Sequence, residues 1–127
     1  MKKILITGST GLLGRTIIFE NKNFKIIGGY FPKKDFPTLR YVDKKYLLDI
    51  RNLDKIKKII EDEEIEVIIH CASLANVDYV EEHRVEAYQT NYIGTKNIVD
   101  LCKLRRIKFI HISTNAVYDG TNPLYSE

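Results

Sequence analysis

The chain has little of what several function classes require. Its 127 residues hold two cysteines, Cys71 and Cys102, too few for a disulfide framework. Cys71 also falls in a predicted buried strand, a usage that fits a reducing cytoplasm as the expected location. No apolar run approaches the length of a membrane-spanning helix, so no membrane is expected as a partner. The apolar start, Ile4 to Ile6, is too short for a signal peptide. Charge of one sign is scarce too: 20 Lys and Arg against 17 Asp and Glu leave a net charge of +3. No basic block is interleaved with exposed aromatics, so no nucleic-acid partner is expected. Lys44-Lys45 and Lys57-Lys58 read as solvated surface. His70 and Cys71 are adjacent, but consecutive strand residues point to opposite faces. No second ligand pair has metal spacing, so no metal is expected.

What is present is a glycine turn in a specific setting. Thr7-Gly8-Ser9-Thr10-Gly11-Leu12-Leu13-Gly14 follows the apolar run Ile4-Leu5-Ile6 and opens the periodic stretch Leu12, Leu13, Ile17, Ile18. A strand, a tight glycine turn and a helix N-terminus in that order form a phosphate cradle. Glycines admit a pyrophosphate close to the backbone, and the helix start offers unpaired N–H groups and a positive dipole end. The spacing is Gly-x-x-Gly-x-x-Gly, not Gly-x-Gly-x-x-Gly, and a glycine-rich turn without a ligand is the alternative.

With 44% hydrophobic residues, one domain over residues 1–127 can bury a core. The patterning predicts strands at Lys3–Thr7, Lys25–Gly29, Tyr46–Leu48, Val67–Cys71 and Phe109–Ser113. Predicted helices cover Leu12–Asn21, Leu53–Glu63 with Asn52 as a possible N-cap, a short turn near Val77–Glu82, and a long helix Arg84–Leu104. That long helix is apolar at Val85, Tyr88, Tyr92, Ile98, Val99 and Leu101. Tyr30–Lys44, with Pro32 and Pro37, reads as an exposed loop. The alternation predicts an α/β fold, a Rossmann-like doubly wound parallel sheet of order 3-2-1-4-5 in three αβα layers, ending after strand 5. Ligands bind such sheets at the strands' carboxyl ends, at the switch point between strands 1 and 4. The Gly8–Gly14 turn, the end of strand 2, Asp49, His70–Ser73 and Ser113-Thr114 would converge there.

These segments resemble the extended short-chain dehydrogenase/reductase superfamily, and within it the dTDP-4-dehydrorhamnose reductase group. The resemblance rests on Ile4-Leu5-Ile6-Thr7-Gly8 with Leu12-Leu13-Gly14-Arg15, and on Val67–Ser73 followed by Val77-Asp78-x-x-Glu81. Ala87-Tyr88-Gln89-Thr90-Asn91 with Gly94 and Asn97 also carries it, as does His111–Gly120. Sugar-nucleotide epimerases and dehydratases share most of these features, as does the non-catalytic regulatory subunit of methionine adenosyltransferase. The resemblance implies an NAD(P)-binding domain that works beside a nucleotide-sugar substrate. It assigns the pyrophosphate to Gly8, Ser9, Thr10, Gly11, Leu12 and Leu13, with Gly14 allowing close helix–strand packing. Adenine falls to Asp49 and Ile50, a loop or capping acid being the alternative for Asp49. Cys71, Ala72 and Ser73 would line the ribose, and Asn91 would order the active-site strands or act directly.

Thr114 matches the catalytic Ser/Thr position, whose hydroxyl would hydrogen-bond the reacting oxygen; a plain strand-end threonine is the alternative. Tyr118 matches a structural aromatic. The superfamily's Tyr-x-x-x-Lys acid–base pair is expected beyond Glu127. The matches Tyr30/Lys34, Tyr41/Lys45 and Tyr92/Lys96 all precede the Thr114 strand and read as coincidence. The chain therefore reads as the N-terminal, cofactor-binding part of a longer reductase, without its substrate domain, and inactive by itself. An NAD site usually carries an acid near the end of strand 2. Here that place is Gly28-Gly29-Tyr30, with Lys33 and Lys34 close by, so NADP(H) is expected over NAD(H), or both; solvated loop charges are the alternative for the two lysines. A homodimer through the Arg84–Leu104 helix is also expected.

Overall fold

The computed structural model describes residues 1–32 and 37–121. Five parallel strands form one sheet: β1 (Lys3–Thr7), β2 (Lys25–Tyr30), β3 (Lys44–Leu47), β4 (Val67–His70) and β5 (Lys108–His111). Their order is β3-β2-β1-β4-β5, the predicted doubly wound arrangement. In register, Thr7 lies beside Gly29 on one side and His70 on the other, so the glycine turn leaves the sheet at its centre. Parallel strands need crossovers, and these place α1 (Leu12–Glu20) on one face and α2 (Leu53–Glu63) and α5 (Thr95–Arg105) on the other.

Alternation along the strands builds two cores. Leu5, Ile27, Leu48 and Ile68 point to the α2/α5 side with Ile56, Ile59, Ile60, Ile98 and Leu101. Ile4, Ile6, Ile26 and Val67 point to the α1 side with Ile18. Helix α2 forms because Ile56, Ile59, Ile60 and Glu63 recur on one face. Asn52 caps it as expected, its side-chain oxygen accepting from the Lys55 N–H at 3.0 Å. Left-handed Glu64 (φ 54°) ends it.

Glu63 is a buried acid, satisfied by the Lys44 ammonium at 2.8 Å and by the Tyr46 hydroxyl. These partners hold its carboxyl below the usual range, and the same hydrogen bond pushes the Tyr46 phenol up to about 12. Glu63→Gln is expected to cost about 1–3 kcal/mol, since hydrogen bonds to charged groups are the strong ones; the urea midpoint checks it.

Several boundaries differ from the sequence reading. Strand β3 starts at Lys44 and ends at Leu47, β2 runs on to Tyr30, β4 stops at His70, and β5 runs from Lys108 to His111. Single-turn 3₁₀ segments occupy Pro37–Arg40 and Asn115–Val117, where loop was expected. The largest correction concerns the long helix. It consists of α4 (Arg84–Ala87), a π-helical segment (Tyr88–Gly94) and α5, in unbroken right-handed backbone, with the short α3 (Val77–Glu82) before it. Val85, Tyr88, Tyr92 and Val99, expected on the packed face, are exposed; Ala87, Gly94, Ile98, Leu101 and Cys102 are buried. A π turn shifts the helical phase, so a 3.6-residue count across it selects the wrong face. The small residues Ala87 and Gly94 let the helix approach the sheet. A Cβ at Gly94 would lie 3.2 Å from the Ile50 side chain.

Candidate functional site

A cavity of about 490 Å³ opens at the carboxyl ends of the strands, beside the switch point. Its floor is the glycine turn: Gly8, Thr10 and Gly11. The three glycines of the turn do different things. Gly8 adopts φ +66°, and a Cβ there would meet the Ala72 backbone nitrogen at 2.7 Å. A Cβ on Gly14 would stand 2.4 Å from the Gly8 carbonyl oxygen. Both glycines are explained by the chain packing on itself. Gly11 is not: it is exposed, its φ of −72° suits any residue, and a Cβ would meet only the Gly8 oxygen at 3.3 Å. Gly11 is also the N-cap of α1, and no side chain caps the N–H groups that follow. The floor is thus a bare helix N-terminus facing a cavity, the arrangement that takes a phosphate.

The walls come from the segments after β2, β3 and β4. Asp49, Ile50, Cys71, Ala72 and Ser73 line them as expected. The Asp49 carboxylate accepts from the Arg51 side chain through Nε at 2.9 Å and Nη2 at 2.6 Å, and from the Arg51 N–H at 3.0 Å. Those contacts hold its carboxyl below the usual range and raise the Arg51 guanidinium. Asp49 is no helix cap; Asn52 has that role. Burial pushes the Cys71 thiol up, which leaves it a lining group rather than a nucleophile.

Other expected residues stand outside the cavity wall. Leu12 and Leu13 are exposed on α1, and Gly14 packs beneath the turn. Asn91 reaches the turn after β4, accepting from the Leu74 N–H at 2.8 Å and donating to the Leu74 carbonyl at 2.9 Å, a supporting role. Thr114 is exposed beyond β5, its hydroxyl accepting from the Ala116 N–H at 3.2 Å. Tyr92 is exposed on the long helix, and Lys96 is paired with Asp100 at 2.6 Å. Lys33 and Lys34 lie outside the described residues.

Ser9 is fully buried under the turn, and its hydroxyl has no hydrogen-bond partner. An orphaned buried hydroxyl costs about 1–3 kcal/mol. Ser9→Ala is therefore expected to stabilise the chain by about 1 kcal/mol or more, read as a rise in thermal midpoint.

Sequence reasoning missed one wall. Arg51, Tyr79, Glu86 and Thr90 also line the cavity. Tyr79 donates to Glu86 at 2.7 Å, and Arg51 stands 3.8 Å from Glu86, which joins the β3–α2 segment to α3 and α4. Arg51 was within reach of the reading, because it follows Asp49-Ile50 directly. Tyr79 and Glu86 carried no signal: they sit on separate short helices that only the fold brings together.

Comparison with known proteins agrees with this architecture. A family model described as RmlD substrate binding domain matches residues 1–127. Methionine adenosyltransferase 2 subunit beta from Bos taurus is 36% identical over 128 residues, covering 99% of this chain and 36% of that protein. A hypothetical dTDP-4-dehydrorhamnose reductase from Sulfolobus tokodaii has the same fold at a TM-score of 0.81 and 27% identity, over 100% of this chain and 44% of that one. UDP-glucose 4-epimerase from Bifidobacterium longum, solved with NAD+ and UDP, superposes at a TM-score of 0.84 and 22% identity, over 99% of this chain and 41% of that one. The chain spans little more than a third of the length of the curated relative it matches.

Proposed function

Because the chain belongs to the RmlD substrate binding domain family, we propose that it is the nicotinamide-cofactor-binding part of a sugar-nucleotide reductase. The observation that carries this reading is Gly11, a glycine that nothing inside the protein requires, at an uncapped helix start on a cavity floor. A pyrophosphate there would accept from the N–H groups at the start of α1. Cys71, Ala72 and Ser73 would face the ribose, and Asp49, Ile50 and Arg51 the adenine end. A bound dihydronicotinamide would supply the hydride for a keto-sugar nucleotide. Thr114 would hold the reacting oxygen through its hydroxyl. Lys33 and Lys34, with no acid at Gly28–Tyr30, favour NADP(H), whose 2′-phosphate needs cations rather than a carboxylate. A cytoplasmic location and a homodimer through the long helix, whose Val85, Tyr88, Tyr92 and Val99 are exposed, belong to the same reading.

A fluorescence titration of the chain with NADPH and NADH tests it. The expected result is binding of both in the micromolar range, tighter for NADPH, with Lys33→Ala/Lys34→Ala removing the preference. No binding of either at millimolar levels would overturn the proposal.

A second reading is a non-catalytic NAD(P)-binding subunit, favoured by the 36% identity to a protein described as a subunit. Turnover separates the two. If the chain, prolonged past Glu127 by its natural sequence, oxidises NADPH with a keto-sugar nucleotide, the subunit reading fails.

A further inference from the structure

His70 is buried at the end of β4, with 2% of its surface exposed, between two threonines. The Ala72 main-chain N–H lies 3.3 Å from the Thr7 Oγ1. An N–H can only donate, so Thr7 accepts there. The one hydroxyl proton of Thr7 then points to His70 Nδ1, 2.7 Å away. Nδ1 accepts it and carries no proton. In the neutral ring the proton sits on Nε2, which donates to Thr95 Oγ1 at 2.9 Å. One direction of donation runs through the whole relay, from Ala72 N–H to Thr7 to His70 to Thr95.

The relay ends on the element that also holds Leu74. Thr95 and Asn91 lie four residues apart on one face of the long helix. Asn91 grips the Leu74 main chain, and Thr95 grips His70. The cavity wall after β4 is thereby fixed at two points, Ala72 and Leu74. We propose that His70, as the Nε2–H tautomer, is a positioning residue for the cofactor cavity, tying β1 and the long helix to the Ala72 main chain. The proposal rests on the cofactor reading above. The other groups against the ring are Phe109 and His111 from β5, at centroid distances of 5.8 and 5.9 Å, and His111 is its one titratable neighbour among these contacts. Burial, with His111 second, keeps the imidazole neutral.

Nitrogen-15 spectra of the uniformly labelled chain test the tautomer directly. The expected pattern is a protonated Nε2 and a bare Nδ1 on His70, unchanged from pH 8 to pH 6. A protonated Nδ1 would overturn the proposal. Thr95→Val tests the positioning role. Loss of one hydrogen bond corresponds to about a two- to tenfold change. The folded variant is expected to bind NADPH several-fold more weakly and to shift the Ala72 amide resonance, while Thr95→Ser restores both. Unchanged NADPH affinity and an unchanged Ala72 resonance would refute positioning, even if the thermal midpoint fell. Should Thr95→Val not fold, Thr95→Ala is read by the same criteria. Failure of the unsubstituted chain to bind NADPH or NADH would remove the cofactor reading instead. The His70 nitrogen pattern and the Ala72 resonance would still decide the relay.

Discussion

Gly11→Val is expected to weaken NADPH binding by about a hundredfold or more, roughly 2.7 kcal/mol, and to leave the chain folded. The reasoning is geometric. The backbone at Gly11 (φ −72°, ψ 168°) is ordinary extended conformation, and the added carbons point into the cavity rather than into protein. The stability change should stay within about 1 kcal/mol, a small N-cap penalty offset by the lost freedom of glycine in the unfolded chain. Gly8→Val and Gly14→Val form the contrast. At Gly8 the side chain meets the Ala72 backbone in a left-handed conformation, and at Gly14 it meets the Gly8 carbonyl. Neither neighbour is a flexible side chain that could yield, so both variants are expected to lose the folded state, seen by circular dichroism. Calorimetric titration of Gly11→Val against the parent decides whether the third glycine serves a ligand. Parental affinity in a folded Gly11→Val protein would sink the cradle assignment.

A second large effect is expected from pH. Burial, and then the neighbouring His111, lowers the His70 pKa to about 4 from an ordinary 6.5. The unfolded chain therefore binds the extra proton first. Stability is complete above about pH 6.5 and falls as the pH drops towards 4. Over that window the loss amounts to about 3 kcal/mol, a large share of the 5–15 kcal/mol by which domains are usually stable. Asp49 and Glu63, both held below their usual values, add their own losses only at lower pH. Urea midpoints measured from pH 7 to pH 4.5 should fall steeply in the parent and remain nearly flat in His70→Gln. Equal slopes would show that His70 is not held neutral by the fold.

The sheet order and the glycine floor were legible in the sequence because each rests on local signals. Ile4–Ile6 and Val67–Ile69 are apolar runs too short for helices, and crossover handedness leaves few ways to stack them. The relation between segments far apart was less legible. Asp49-Ile50 was placed at the cavity, but its bond to Arg51 was not, since residues two apart reveal nothing until the turn after β3 is drawn. The Tyr79–Glu86 wall needed two short helices to meet. In the long helix the sequence was misleading. Val85, Tyr88 and Tyr92 keep a helical spacing, yet the π segment turns that stripe outward, and alanine and glycine, which a hydrophobicity count passes over, form the packed side. His70 was weighed as a metal ligand, because nothing in a linear sequence sets two threonines 63 and 25 positions away against its ring nitrogens.

The order in which the cavity is assembled along the chain has an evolutionary consequence. Its lining residues run from Gly8 to Thr90, and its last support is Thr95. A stretch of under a hundred residues thus encodes the whole receptacle, with no lining contribution from β5 or the segment described after it. Whatever follows such a stretch can diverge, be exchanged or be lost without rewriting the receptacle. This makes the N-terminal portion an inheritable module, able to stay constant while descendants acquire different partners at its open side.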